Sequence, residues 1–183
     1  MKKLMFCAAA LAAAAVFAVS YEDIAKEEES FDEDVAPISS AWQKEHEAEL
    51  AAATSPEAIA ECVKSRDAAK ALLDNVKTAY DTDPLVAFRI AEASHYVMSL
   101  PRPSWYAFWR SSRRPERVVW TEALMDRARW ADDDYVKMFC IEQLRWCAFP
   151  DQADAVRALG EGCEKGACDF AAQVAGEIAS RDS

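Results

Sequence analysis

Two stretches of the sequence decide the fold, DPLVAFRIAEA at residues 83–93 and DDYVKMFCIEQ at residues 133–143. Each opens with an aspartate, a residue type that favours the N-cap of a helix. An apolar stripe at helical spacing follows in both: Val86, Ile90, Ala93 and Val97 in the first, and Val136, Phe139, Cys140, Leu144 and Cys147 in the second. Both stretches are therefore predicted to be helices with one buried face.

A second helical segment precedes each of these stretches, and a further pair follows them. The additional segments are Ala69–Tyr80, Val118–Trp130, Ala153–Cys163 and Ala167–Ser180. No stretch alternates apolar and polar residues as a half-buried strand does. All four glycines lie between positions 160 and 176. The pattern predicts an all-α fold of three antiparallel helical hairpins, enough units for a repeat array to bury a continuous core.

The second helix of each hairpin resembles that of HEAT-like repeats, whose loose consensus is Asp, Pro, any residue, Val, Arg, then small residues with Glu-Ala-Leu. The match is best at Asp83–Ala93 and Asp133–Leu144 and weaker at Cys168–Ile178. It extends over about residues 66–180. The resemblance implies a short right-handed array that acts as a scaffold or interaction surface, and it implies no activity. A plain helical bundle would share much of the same pattern.

The first twenty residues have the layout of a secretory signal peptide. Lys2 and Lys3 precede the uncharged run Leu4–Ala18, and an acidic stretch follows. Fifteen apolar residues fall short of the roughly 20 needed to cross a membrane. We expect cleavage after Ala18 or Ser20, and hence an exported protein, periplasmic or extracellular, with no stable membrane span. Residues 21–37 are predicted to be an acidic disordered leader, and residues 38–183 a single all-α domain.

The charge of the mature chain argues against nucleic acid as a partner. The full sequence carries a net charge of −11. Removing residues 1–20 takes away two lysines and no acid, which leaves −13. Nucleic-acid binding needs clustered lysines and arginines that displace counterions. One segment departs from this acidity, residues 98–117, with five arginines, one glutamate and a local net charge of +4.

This segment, which we call the insert, breaks the spacing between the first and second hairpins. Arginine and aromatic side chains together are what interface hot spots use. We therefore expect the insert to bind a protein partner, an acidic one, and the candidate residues are Trp105, Tyr106, Trp109, Arg110, Arg113 and Arg114. In the alternative interpretation, the aromatic side chains pack into the array and the arginines are solvated or paired with acidic groups of the same chain.

Five cysteines remain after removal of the signal, an odd number for an oxidising compartment. Cys140 and Cys147 are seven residues apart on one predicted helix, too far for a disulfide. Cys163 and Cys168 flank a turn where a bond is geometrically possible. The alternative is that both are small apolar side chains packed at a helix junction. The oligomeric state does not follow from the sequence.

No recognisable pattern of catalytic, cofactor or metal residues occurs. With no glycine before residue 160, phosphate-binding loops in their usual setting are excluded. Asp132, Asp133 and Asp134 lie where helix capping needs carboxylates and lack the spacing of a calcium loop. The sequence favours a non-enzymatic binding or scaffolding module. The alternatives are an extracytoplasmic enzyme that uses His95 with Glu92 or a cysteine, and a purely structural envelope protein.

Overall fold

A computed structural model describes residues 41–76, 82–101 and 113–181 of the 183-residue chain. Every regular element in these ranges is helical, as predicted. Residues 41–45 form a first helical turn. The helices that follow are α1 (Glu47–Ala53), α2 (Pro56–Val63), α3 (Arg66–Leu73), α4 (Pro84–Ser99), α5 (Pro115–Arg129), α6 (Asp134–Cys147), a 3-10 turn (Pro150–Gln152), α7 (Ala153–Ala158) and α8 (Lys165–Ala179). The predicted signal peptide and the predicted acidic leader lie outside the described residues, so both stay predictions.

Hydroxyl and carboxylate side chains cap the starts of four helices, α2, α3, α4 and α6. The Ser55 hydroxyl accepts a hydrogen bond from the Ala58 amide at the start of α2. Asp83 accepts one from the Leu85 amide at 2.9 Å, and Asp133 one from the Tyr135 amide at 2.7 Å. Of Asp132, Asp133 and Asp134, for which capping is expected, Asp133 is the N-cap of α6. Each of these caps satisfies an amide that has no partner inside its helix.

Two helix pairs form the predicted hairpins. Helices α5 and α6 pack against each other across a four-residue connection, and so do α7 and α8 across the turn at 159–164. The second helices stack in series, α4 on α6 and α6 on α8, while α3 packs on α5. Adjacent hairpins are therefore in contact through corresponding helices.

The first hairpin differs from the expectation in its first helix. The sequence predicts one helix over Ala69–Tyr80, yet the Ser65 hydroxyl accepts from the Ala68 amide and starts α3 at Arg66. The preceding helix α2 ends at Val63. One helix therefore ends and another begins between Val63 and Arg66. Helix α2 packs against α4 more extensively than α3 does, and α3 packs mainly against α5. Residues 77–81 lie outside the described ranges.

One hydrophobic core runs through all of these layers. It extends from Ile59 in α2 to Ile178 in α8 and includes the fully buried Trp120. The Trp120 indole donates to the Ser94 hydroxyl at 3.0 Å, which satisfies the one polar atom of its ring in the core. A small satellite cluster, with Phe88 stacked on Trp42, covers the N-terminal end of α4.

Candidate protein-interaction surface

The structure describes both ends of the insert and brings them together. Pro101 follows α4, and Arg114 precedes α5. The Arg114 guanidinium donates from Nε to the Pro101 carbonyl at 2.6 Å. The described residues on the two sides of 102–112 are therefore adjacent. Four of the predicted partner-binding residues, Trp105, Tyr106, Trp109 and Arg110, lie outside the described residues, so their role stays a prediction.

Arg113 is held against the body of the protein by two contacts. Its guanidinium forms an ion pair with Asp151. It also lies over the Phe149 ring, 4.3 Å from the ring centroid. The Arg113 hydrogen bond holds the pKa of the Asp151 carboxyl below its usual range. Arg113 and Arg114 thus make contacts inside the chain, and any substitution at either position tests folding as well as binding.

Arg117 contacts the end of α6 through two hydrogen bonds and the Phe149 ring. It donates to the carbonyl oxygens of Cys147 at 2.6 Å and Ala148 at 2.8 Å, at the C-terminal end of α6. Its guanidinium lies 4.1 Å from the Phe149 centroid. Carbonyls at a helix end have no partner inside the helix and carry partial negative charge, so a cation there is stabilising. Arg117 therefore ties the start of α5 to the end of α6.

His95, the centre of the alternative enzymatic interpretation, contacts an aromatic ring. The His95 and Trp146 ring centroids are 5.6 Å apart, with the planes tilted by 38°. Cys147 is next to Trp146 in sequence, but burial raises the pKa of its thiol to about 12. Burial has the same effect on Cys140. A nucleophilic cysteine reacts as the thiolate, so these two thiols are unsuited to that role.

The two cysteines of the predicted disulfide are both thiols in the structure. Cys163 Sγ lies 3.5 Å from Lys137 Nζ, and Cys168 Sγ donates to the Gly160 carbonyl at 2.8 Å. Cys168 Sγ is also 3.4 Å from the Cys163 carbonyl oxygen. The two residues share one turn, as the sequence indicates, and the bond between them stays a prediction.

A groove between α3 and α5 is a feature that sequence analysis missed. It has a volume of about 470 Å³, and its lining residues are Lys70, Leu73, Asp74, Ala123, Asp126, Arg127 and Trp130. The Trp130 side chain beside it is 78% exposed. In the sequence Trp130 is the last residue of a predicted helix, and nothing in the helical periodicity shows that its ring faces water.

A smaller groove of about 380 Å³ lies where α6 and α8 begin, with carboxylates of Asp133, Asp134 and Glu164 in its lining. Asp133 caps α6, and Asp134 Oδ2 accepts from the Glu164 amide at 3.0 Å. That hydrogen bond lowers the pKa of the Asp134 carboxyl. The Asp133 and Asp134 carboxylates thus each accept from a backbone amide. In the described part of the chain, no group of three or more His, Cys, Asp or Glu side chains is arranged to hold a metal ion.

Comparison with known proteins identifies no relative. No protein-family model matches the sequence, no curated protein matches it, and no solved structure matches the fold. Among the helices in the described ranges, none combines the length and apolar character needed to cross a membrane.

Proposed function

We propose that this protein is an exported, non-enzymatic module that binds another protein through its insert, with a HEAT-like array of helical hairpins as the rigid support. The observation that carries the proposal is the anchoring of the insert. Arg114 joins its two ends, and Arg113 and Arg117 fasten it to Phe149 and to the end of α6. A segment whose ends are fixed loses less conformational entropy on binding than a free one.

The residues between these anchors have the composition of a binding hot spot. Trp105, Tyr106 and Trp109 supply large contact areas, and Arg110 adds donors for a carboxylate. An acidic protein surface is the partner that this chemistry fits. We predict that Arg113 and Arg114 also bind the partner. Besides any direct contact, they would help binding by holding the end of the insert in position.

Affinity capture with the mature chain tests this function. The bait is residues 21–183, and the variant is Arg110→Glu, which leaves the anchoring arginines in place. The control is Arg157→Glu, since Arg157 is exposed and, among the described residues, its ion pair is with Asp154 one helix turn away. We expect a partner that Arg157→Glu retains and Arg110→Glu loses, with the same far-UV circular dichroism for both variants.

Two outcomes would count against the binding function. Capture of the same proteins by both variants would show that the insert is not the binding surface. Absence of any partner with all baits would favour the structural or enzymatic alternatives. Export is tested separately by N-terminal sequencing of the protein from the extracytoplasmic fraction, where we expect the chain to begin at residue 19 or 21.

A further inference from the structure

On the basis of the binding function proposed above, we infer that Asp151 is an internal competitor for the acidic partner. In the free protein its carboxylate is bound by the Arg113 guanidinium. A carboxylate of the partner protein takes its place when the partner binds. Asp151 thus sets how tightly the basic end of the insert holds an acidic surface.

The Arg113–Asp151 ion pair shows that a carboxylate fits beside Arg113. The two residues are 38 positions apart, at the end of the insert and in the 3-10 turn before α7. The hydrogen bond from Arg113 lowers the pKa of the Asp151 carboxyl, so the bound form is the charged carboxylate. An aspartate or glutamate of another protein carries the same group and can make the same contact.

Water reaches both members of this ion pair. The exposed fraction is 38% for the Arg113 side chain and 61% for the Asp151 side chain. Solvent screens an ion pair that is exposed to this degree, so the pair is weak and opens at little cost. An incoming carboxylate can therefore reach Arg113 and replace Asp151.

The Phe149 ring holds the Arg113 guanidinium in position when Asp151 leaves. Phe149 is only 8% exposed, and the Arg113 guanidinium lies 4.3 Å from its ring centroid. Arg117 lies 4.1 Å from the same centroid. The attraction between a guanidinium and an aromatic ring does not depend on the carboxylate. A guanidinium that is already positioned loses less conformational entropy when it binds a partner.

Charge favours a carboxylate as the group that replaces Asp151. Residues 113–117 include three arginines and one glutamate, and with Asp151 their net charge is +1 in a chain whose total is −11. An anionic group is attracted to this position and a cationic group is repelled. The forked donors of a guanidinium also match the two oxygens of a carboxylate.

Binding of an acidic peptide to the mature chain tests the inference. The probe is fluorescein-labelled hexaglutamate, and fluorescence polarisation measures its affinity. We expect Asp151→Asn, which keeps the side-chain shape and removes the charge, to tighten binding by about two- to fivefold, the range for loss of an exposed ion pair. Asp154→Asn is the matched control, because it removes the same charge from another exposed ion pair three residues away, and it should have no comparable effect.

A double-variant cycle assigns the effect to Arg113. In the Arg113→Gln background, Asp151→Asn should leave the affinity unchanged, because no guanidinium is left for Asp151 to occupy. Circular dichroism checks the fold of each variant, and if Arg113→Gln does not fold, the two asparagine variants still decide. Three results would overturn the inference: no gain from Asp151→Asn, an equal gain from Asp154→Asn, or a gain that persists without Arg113.

Nuclear magnetic resonance observes the displacement itself. Hexaglutamate added at neutral pH should shift the side-chain carboxyl-carbon resonance of Asp151, with the same midpoint as the polarisation titration. The resonance of Asp154 should not move. A peptide that binds and leaves the Asp151 resonance in place would show that Asp151 is not displaced, and the inference would be wrong.

Failure of this inference and failure of the proposed function give different results. If Arg110→Glu loses the captured partner while Asp151→Asn leaves the affinity for hexaglutamate unchanged, the insert binds its partner and the inference is wrong. If capture finds no partner while Asp151→Asn tightens hexaglutamate binding through Arg113, the proposed function fails and the exchange of carboxylates at Arg113 stands.

Discussion

At the scale of single residues, the five cysteines in the described part of the chain divide into two classes by their surroundings. Cys140 and Cys147 are completely buried, and burial raises the pKa of both thiols to about 12. Cys62, Cys163 and Cys168 are partly exposed. Because the thiolate is the reactive form, we expect iodoacetamide under reducing conditions to modify only the second class in the folded protein.

Peptide mass spectrometry before and after unfolding measures this difference. Cys140 and Cys147 should become labelled only in denaturant, where they lose their burial. Labelling of Cys140 in the folded protein at the rate of Cys168 would show that α6 is less tightly packed than the structure has it.

Glu142 gives the protein a pH dependence of known sign. Burial raises the pKa of its carboxyl, and Arg145 at 2.9 Å only partly opposes this. The folded state then keeps a proton that the unfolded state releases above about pH 4.3. The free energy of unfolding therefore falls as pH rises through the folded pKa.

Glu142→Gln removes this ionisation and tests its contribution. We expect the variant to be at least as stable as the wild type at neutral pH, since Arg145 keeps its second partner Glu177. As pH falls, the free energy of unfolding of the wild type should rise relative to that of the variant. Urea denaturation at neutral and acidic pH measures both. Glu161→Gln, at an exposed position, is the control for replacing a glutamate by glutamine. If the wild type became more stable relative to Glu142→Gln as pH rises, the predicted sign of the pH dependence would be wrong.

The single-residue features differ in how far they can be predicted. The Asp133 cap was predictable, because its partner amide is two residues away. The contacts of Arg117 with Cys147 and Ala148 were not, since they join residues 30 and 31 positions apart. The sequence indicates that residues 98–117 are rich in arginine, but only the fold shows that Arg113, Arg114 and Arg117 contact the helical body.

At the scale of elements, the junction of α7 and α8 depends on a close approach at Gly160. A Cβ atom there would lie 2.7 Å from Ala171 Cβ and 3.2 Å from Cys168 Cα. Such distances force the turn and α8 apart. We expect Gly160→Ala to destabilise the protein by about 1–3 kcal/mol, the cost of overpacking.

Gly176, within α8, is the matched control, because a side chain there has free space. A Cβ atom at this position would meet nothing within 4 Å. Because glycine loses more backbone entropy than alanine in a helix, we expect Gly176→Ala to stabilise by about 0.5–1 kcal/mol. Chemical denaturation of both variants tests the pair. Equal effects would mean that the turn can move away from α8.

Helix starts were predicted better than helix ends and pairings. Local caps fix the starts of α2, α4 and α6. The expected helix Ala153–Cys163 instead ends at Ala158, because a turn with Gly162 at a φ of 80° follows. Positive φ is available to glycine at no steric cost, so the turn can form there. Both α2 and α3 pack against α4. This pairing depends on contacts between residues far apart in sequence, which the local pattern does not predict.

At the scale of the whole molecule, the continuous core predicts one cooperative unfolding transition. The cluster from Ile59 to Ile178 includes residues of every helix from α2 to α8. No layer can therefore unfold without exposing apolar surface of its neighbour. We expect the midpoints measured by far-UV circular dichroism and by tryptophan fluorescence to coincide.

A core substitution sharpens this test. Leu124 is fully buried in α5, and we expect Leu124→Ala to cost about 2–5 kcal/mol. It should shift both spectroscopic midpoints equally. Two separate transitions, with only one of them sensitive to the substitution, would show that the hairpins unfold independently.

The sequence by itself determined the helical class, the starts of α4 and α6 and the apolar stripes that became the core, because caps and periodicity act over a few residues. It also picked out the insert by composition. Only the tertiary structure decided which helices pair, which arginines anchor the insert, and that Trp130 stands exposed beside a groove. The physical reason is distance along the chain. These features arise from contacts between residues far apart in sequence, and their energies exist only once the helices have packed.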